Sequence, residues 1–194
     1  MDIKSIIKDS LILFAITLIL GAVLSGAKVG TQPLVDKAAK DSQIKAFNKV
    51  CEGYDSYDNI TSDLVGASAG IDNASFTSEE GFLRAKDASG NPIGYIAQVT
   101  SKGYGGDLNL IIGFNLNGDI TGVQYANTPS ETPGLGMKTT KESFLKSWEG
   151  HNNDDVESVD TISGATISST AFKQAMRYAC MFAERATTMY GGVK

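Results

Sequence analysis

Histidine and cysteine are almost missing from this chain. His151 is the one histidine, and Cys51 and Cys180 are the two cysteines, far apart and without a CxxC pair. Too few soft or imidazole ligands remain for a zinc or iron–sulfur site, so no metal is expected. The two thiols read either as small buried apolar groups or as a Cys51–Cys180 disulfide on an oxidising side of a membrane. His151, just after Trp148-Glu149-Gly150, reads as a surface histidine. An excess of positive charge is missing too. The formal net charge is -5, and Lys and Arg are spread thinly, without the basic stripe that a phosphate backbone needs. Nucleic acid is therefore not an expected partner. No Walker loop occurs, nor a GxGxxG set between a strand and a helix, which removes the usual nucleotide cradles.

The chain does carry one long uncharged run, residues 11–27, LILFAITLILGAVLSGA. At a helical rise it spans roughly 25 Å, the short end for a bilayer core, and Lys28 and Val29 can extend it. It reads as a single transmembrane helix. Ser25-Gly26-Ala27 also resembles a cleavage site, which leaves a removable signal peptide as the alternative. Lys4 and Lys8 on one side face Lys28, Lys37 and Lys40 on the other, so charge alone does not orient the helix. The remaining length suits one globular domain with a real core.

Past the anchor, Leu34, Ala38, Ile44, Phe47 and Val50 recur at helical spacing and predict a stalk or first domain helix. Residues 53–80 are rich in Ser, Asp and Gly and read as loops. From Phe82 the texture changes to strand-like runs separated by turn chemistry: FLRAK, IGYIAQVT, LNLIIGF and ITGVQYA. Ser89-Gly90 or Asn91-Pro92 closes one hairpin, and Asn117-Gly118 another. KESFLKSWEG then predicts a short amphipathic helix with Phe144, Leu145 and Trp148 inward. At the end of the chain Phe172, Ala175, Met176, Ala179, Phe182, Ala183 and Ala186 share one helical face. That last helix is predicted to start near Ser168, with Ser168 or a neighbouring hydroxyl as its cap, and to stop before Gly191-Gly192. The fold class is α+β: an antiparallel sheet packed with helices, preceded by one N-terminal transmembrane helix. The predicted division is 1–29 anchor, 30–80 stalk and loops, 81–194 domain.

Three glycine loops are not explained by core building: Lys102-Gly103-Tyr104-Gly105-Gly106, Glu131-Thr132-Pro133-Gly134-Leu135-Gly136, and Ser163-Gly164-Ala165-Thr166. Glycine allows a backbone to approach another group closely and to take left-handed angles. Thr166 stands just before the last helix, where free N–H groups favour an anion such as a phosphate. A helix dipole contributes only about 0.3–1 kcal/mol at an exposed site, so tight retention of a cofactor there needs many contacts or a covalent bond.

The string Asp160-Thr161-Ile162-Ser163-Gly164-Ala165-Thr166 resembles the recognition motif of flavin transferases, which join FMN to a threonine hydroxyl through a phosphodiester. The chain also displays, in order, Gly94-Tyr95, Gly103 to Gly106, Asn117-Gly118-Asp119-Ile120, and Glu131 to Lys138. Over roughly residues 80–190 it is thus similar to the FMN-binding domain of the G subunit of the Rnf electron transport complex. The related C subunit of the sodium-pumping NADH:quinone reductase shares these motifs, but is usually longer. One departure is Pro129, where many relatives carry a histidine.

The resemblance implies that Thr166 carries covalent FMN, and that Asp160, Ser163, Gly164 and Ala165 form the segment the transferase reads. Glu131, Thr132, Pro133, Gly134, Leu135 and Gly136 would lie against the flavin ring, with Gly103, Tyr104, Gly105 and Gly106 shaping the same wall. Lys138 would stand near the phosphate or ring, or be a solvated lysine. The implied protein is a single-pass membrane flavoprotein with a cytoplasmic N-terminus and an extracytoplasmic domain. It would pass electrons within an ion-translocating ferredoxin:NAD oxidoreductase, between cofactors of neighbouring membrane and redox subunits. A C-type subunit of the quinone reductase, a free-standing extracytoplasmic flavin reductase and a flavin-binding sensor remain as alternatives.

Overall fold

A computed structural model of the chain describes residues 10, 11, 13, 14, 16–18, 21, 41–64 and 73–191. Two compact units divide it, Met1–Gln43 and Ile44–Lys194. In the first, Leu11, Leu13, Phe14, Ile16 and Leu18 are helical and exposed. Among the described residues no helix is long and apolar enough to cross a membrane. The rest of the run read as an anchor, with Leu34 and Ala38 of the stalk, lies outside the described residues.

The second unit is built on a six-stranded, fully antiparallel sheet. Its strands are β1 (Ser56–Asn59), β2 (Ala74–Phe76), β3 (Phe82–Lys86), β4 (Pro92–Lys102), β5 (Asp107–Phe114) and β6 (Ile120–Tyr125). The order is β1-β3-β4-β5-β6, and β2 pairs with the far end of β4. Helices are α1 (residues 41–50), the single turn α2 (Thr61–Leu64), α3 (Glu142–Lys146) and α4 (Thr166–Tyr190). Turn chemistry sets the hairpins: Gly90 and Gly118 both take positive φ, +81° and +90°, between β3 and β4 and between β5 and β6. Residues 53–80, read as loops, instead supply β1, α2 and β2.

Alternation along the strands sorts the core into two faces. Tyr95, Ala97 and Val99 of β4 join Leu108, Leu110, Ile112 and Phe114 of β5 in the larger cluster, where α4 adds Phe172, Ala175, Met176, Ala179 and Ala183. Ile96 and Ile111 point to the opposite face, where they meet Phe47, Val50, Cys51 and Tyr54. Ile44, on the same predicted stripe as Phe47, is exposed. The alanines of α4 let its axis lie close to the sheet. Phe172 locks it, with ring centroids 5.1 Å from Phe144 and 5.4 Å from Trp148. Burying such a ring contributes about 1.5–3 kcal/mol. Phe144 and Trp148 are buried as expected from α3, and Leu145 packs against them from the edge. The two cysteines sit in different clusters on opposite faces of the sheet, and both are free buried thiols, so the disulfide alternative does not hold.

One end of the sheet gathers the three glycine loops. The β4–β5 turn holds Gly103 to Gly106, closed by Gly103 N–H donating to Gly106 O at 2.9 Å. Antiparallel pairing of β5 with β6 brings the chain leaving Tyr125 to the same end. There the first turn of α4 emerges from under the sheet.

Candidate functional site

At that end lies a cavity of about 420 Å3, lined by Tyr104, Glu131, Thr132, Leu135, Gly136, Gly164, Ala165, Thr166, Ile167 and Ser168. Its size falls within the roughly 300–1,000 Å3 usual for small-molecule and cofactor sites. All three loops contribute to its wall. Tyr104, Leu135 and Ile167 remain 69%, 46% and 59% exposed. Together they offer large apolar surfaces to whatever fills the cavity, a stronger signal than a scattered exposed hydrophobe.

Glu131 forms the floor and ties the loops together. It is only 6% exposed. The Ser168 hydroxyl donates to its Oε2 at 2.6 Å, and the Gly105 N–H donates to its Oε1 at 3.2 Å. One carboxylate thus joins the β4–β5 turn, the loop after β6 and the first turn of α4. Glycine makes this approach possible. A Cβ at Gly103 would lie 2.3 Å from Glu131 Oε1, and one at Gly136 would lie 2.1 Å from Oε2. Gly105 is equally constrained, since its Cβ would lie 1.9 Å from the carbonyl oxygen of Ser130. These glycines shape the site from behind, by admitting the carboxylate and a neighbouring strand of backbone.

Behind Gly136 a second chain of bonds steadies the loop. Thr139 gives its single hydroxyl proton to Gly136 O at 2.7 Å, so the Tyr125 phenol donates to Thr139 across 2.8 Å. Burial is the main reason the Tyr125 phenol is pushed up to about 12, with the Thr139 bond opposing it and the Glu131 charge adding to it. Tyr125 therefore stays neutral and keeps donating at ordinary pH.

Thr166 is the first residue of α4, is exposed and lines the cavity. The helix begins two residues earlier than expected. Ala165 stands at its N-cap and no side chain caps it. Ser168 does not act as a cap because its hydroxyl is committed to Glu131. Ser169 holds the preceding turn, accepting from Ile162 N–H at 3.1 Å and donating to Ala165 O at 2.9 Å. Gly164 takes φ +79°, a left-handed angle that side chains disfavour, so it is required by the turn itself. Ala165 is small because it is buried. An uncapped first turn leaves N–H groups free to receive an anion held at Thr166.

Several expected site residues lie elsewhere. Lys138 and Asp160 line a separate depression of about 400 Å3 with Lys141 and Thr161. Pro133, Gly134 and Ser163 are exposed and outside the cavity lining. Pro129 is buried beside Tyr125, Met137 and Thr140 in a further depression. His151 places Nδ1 2.9 Å from Asp155 Oδ2 and lines none of these cavities. The sequence alone assigns Ile167, Ser168 and Ser169 no part in the site beyond a helix cap. Their spacing within the first turn of α4 marks Ile167 and Ser168 as neighbours of Thr166.

An aromatic ring with apolar faces and a polar edge, carrying a phosphate on a short chain, matches this arrangement. Apolar side chains line the walls, a carboxylate that already accepts two hydrogen bonds forms the floor, and a threonine stands at an uncapped helix start. FMN has that chemistry, and the residues present fit it.

Residues 103–180, which include much of the cavity lining, match the FMN-binding domain family. Among named relatives, the G subunit of the proton-translocating ferredoxin:NAD(+) oxidoreductase complex of Clostridium ljungdahlii is 29% identical over 109 residues, covering 52% of this chain and 57% of that protein. The chain therefore spans little more than half the length of that relative. The G subunit of the ion-translocating oxidoreductase complex of Methanosarcina acetivorans is 28% identical over 185 residues, covering 92% of this chain and 94% of that protein. The crystal structure of Shewanella oneidensis NqrC superposes with a TM-score of 0.46 at 19% identity, covering 74% of this chain and 87% of that one. The resemblance to the Rnf G subunit, read from the glycine loops, is borne out by the family match and by the two oxidoreductase relatives.

Proposed function

We propose that this protein is an electron-transfer subunit of an Rnf-type ion-translocating ferredoxin:NAD oxidoreductase complex, carrying FMN joined through its phosphate to the Thr166 hydroxyl. The observation that carries this reading is the convergence of all three glycine loops on one cavity with the exposed Thr166 at its edge. Bound FMN supplies the electron-carrying chemistry. The chain's own residues do the rest. Thr166 offers an accessible hydroxyl to a flavin transferase, which reads Asp160 and the Ser163-Gly164-Ala165 turn. The open N–H groups of α4 receive the phosphate charge, and Tyr104, Leu135 and Ile167 take the faces of the ring. Lys138, on the Asp160 side, acts outside the ring cavity in this reading.

Residues 11–27 anchor the protein in the membrane by one span, with the N-terminus cytoplasmic and the domain outside the cell. A tethered cofactor suits that side, where a released one would be diluted away. Electrons arrive from and leave to cofactors of neighbouring subunits. The full chain, made in cells that contain the transferase, tests the reading on a denaturing gel. Flavin fluorescence in the wild-type band and none in Thr166→Val is expected. A dark wild-type band overturns covalent attachment, and a fluorescent variant overturns the assignment to Thr166.

A further inference from the structure

We propose that Glu131 is a fixed negative charge in the cavity floor that lowers the reduction potential of the ring held above it, which makes it a positioning and tuning residue as well as a tie between loops. The inference rests on the reading that the flavin ring occupies this cavity. Three observations carry it.

Glu131 lines the cavity while being 6% exposed, so its charge acts through protein and not through water. Among the described residues no lysine, arginine or histidine forms an ion pair with it. Its partners are one hydroxyl and one backbone N–H, which stabilise the carboxylate without cancelling its charge. Finally, a Cβ added at Gly103 or at Gly136 would lie 2.3 or 2.1 Å from the carboxylate oxygens, so the two glycines form a cradle that an alanine would fill. A loop tie alone needs no charge, since a neutral hydrogen-bonding group would serve.

Taking up one electron adds one negative charge to the ring, and no bond in the chain forms or breaks. A second negative charge close by opposes that addition and shifts the equilibrium toward the oxidised ring. Glu131→Gln removes the charge and keeps the shape. The amide oxygen accepts from Gly105 N–H, while the amide nitrogen donates to Ser168, whose hydroxyl changes from donor to acceptor. Ser168→Ala does the reverse, keeping the charge and removing the hydroxyl that partly offsets it.

Spectroelectrochemical titration of the full flavin-loaded chain, with dithionite supplying the electrons, distinguishes these effects. The expected result is a rise in the E131Q midpoint of at least a tenfold shift in the one-electron equilibrium, about 59 mV, with no rise in S168A. An E131Q midpoint that stays or falls overturns the proposal, and so does an equal rise in S168A, which would mark a loosened loop as the cause. Flavin fluorescence of the same chains on a denaturing gel reports separately on the attachment reading. Where E131Q takes up no covalent flavin, the chain carrying Thr166→Val is titrated with oxidised and reduced riboflavin. The ratio of the two affinities contains the same shift. Adding E131Q should favour the reduced form at least tenfold more, and an unchanged ratio overturns the proposal.

Discussion

The hydroxyl of Ser168 and the carboxylate of Glu131, 37 residues apart in the chain, meet at 2.6 Å in the buried floor of the cavity. Neither group has water to fall back on, because Ser168 is 2% and Glu131 6% exposed. The bond therefore fixes the loop after β6 against the first turn of α4 before any ligand arrives.

Removing that hydroxyl leaves a buried carboxylate oxygen without its donor. Ser168→Ala is expected to destabilise the second unit by about 1–3 kcal/mol, with an unchanged dependence of unfolding free energy on urea concentration. Equilibrium urea denaturation of the full chain checks this. A loss below a few tenths of a kcal/mol would show that the tie is not maintained in solution.

Gly136 and Glu131 should couple strongly. Gly136→Ala places a methyl group where the Glu131 carboxylate lies, 2.1 Å from Oε2, and overpacking of this kind costs about 1–3 kcal/mol. In a Glu131→Ala background the obstruction is gone, so the same substitution should cost markedly less. A double-mutant cycle measures the difference, and additive effects would contradict the cradle.

The two thiols link stability to alkaline pH. Burial raises Cys51 from 9.0 to about 11, and it raises Cys180, where the Asp155 charge adds to burial, from 9.0 to about 12. Between 9.0 and those values the unfolded chain loses thiol protons that the folded chain keeps, so unfolding is favoured as pH rises. Their contribution is complete below pH 9.0 and is lost as pH climbs through about 11 and about 12. Replacing both by alanine should flatten the alkaline limb of a plot of melting temperature against pH. A thiol reagent at about pH 8, below the ordinary thiol range, should label the wild-type chain only after unfolding.

If a flavin transferase reads Asp160, as proposed, substituting it should separate recognition from folding. It is exposed, outside the cavity that Glu131 lines and beside Lys138 and Lys141. Asp160→Ala should change unfolding free energy by no more than about 0.5 kcal/mol, as for other surface sites, yet sharply reduce covalent flavin in the purified chain. Mass spectrometry of the intact protein reads the modified fraction. Undiminished attachment would remove Asp160 from the segment that the transferase reads.

Much of the sheet was legible because β3 to β6 combine alternation with turn residues whose φ values are positive, Gly90 and Gly118. β1 and β2 were not. β1 is an edge strand in which Tyr57 alone is partly covered, and β2 has three residues, so neither carries enough buried positions to show a period of two. The position of Thr166 followed from its motif. The tie between Ser168 and Glu131 did not, because a contact across 37 residues leaves no local pattern, and Ser168 looked like one more helix-capping hydroxyl. For the same reason Gly103 and Gly136 read as room for a ligand, while the structure puts a carboxylate in that room.

Thr166 begins a helix of 25 residues whose inner face is held under the sheet from Ala171 to Ala186. The attachment point itself cannot swing, since the turn before it is pinned by Ser169 and the turn after it by Glu131. On the proposed function, any approach to another redox group beyond the reach of the cofactor's own chain would therefore have to come from motion of the whole domain or of the other protein.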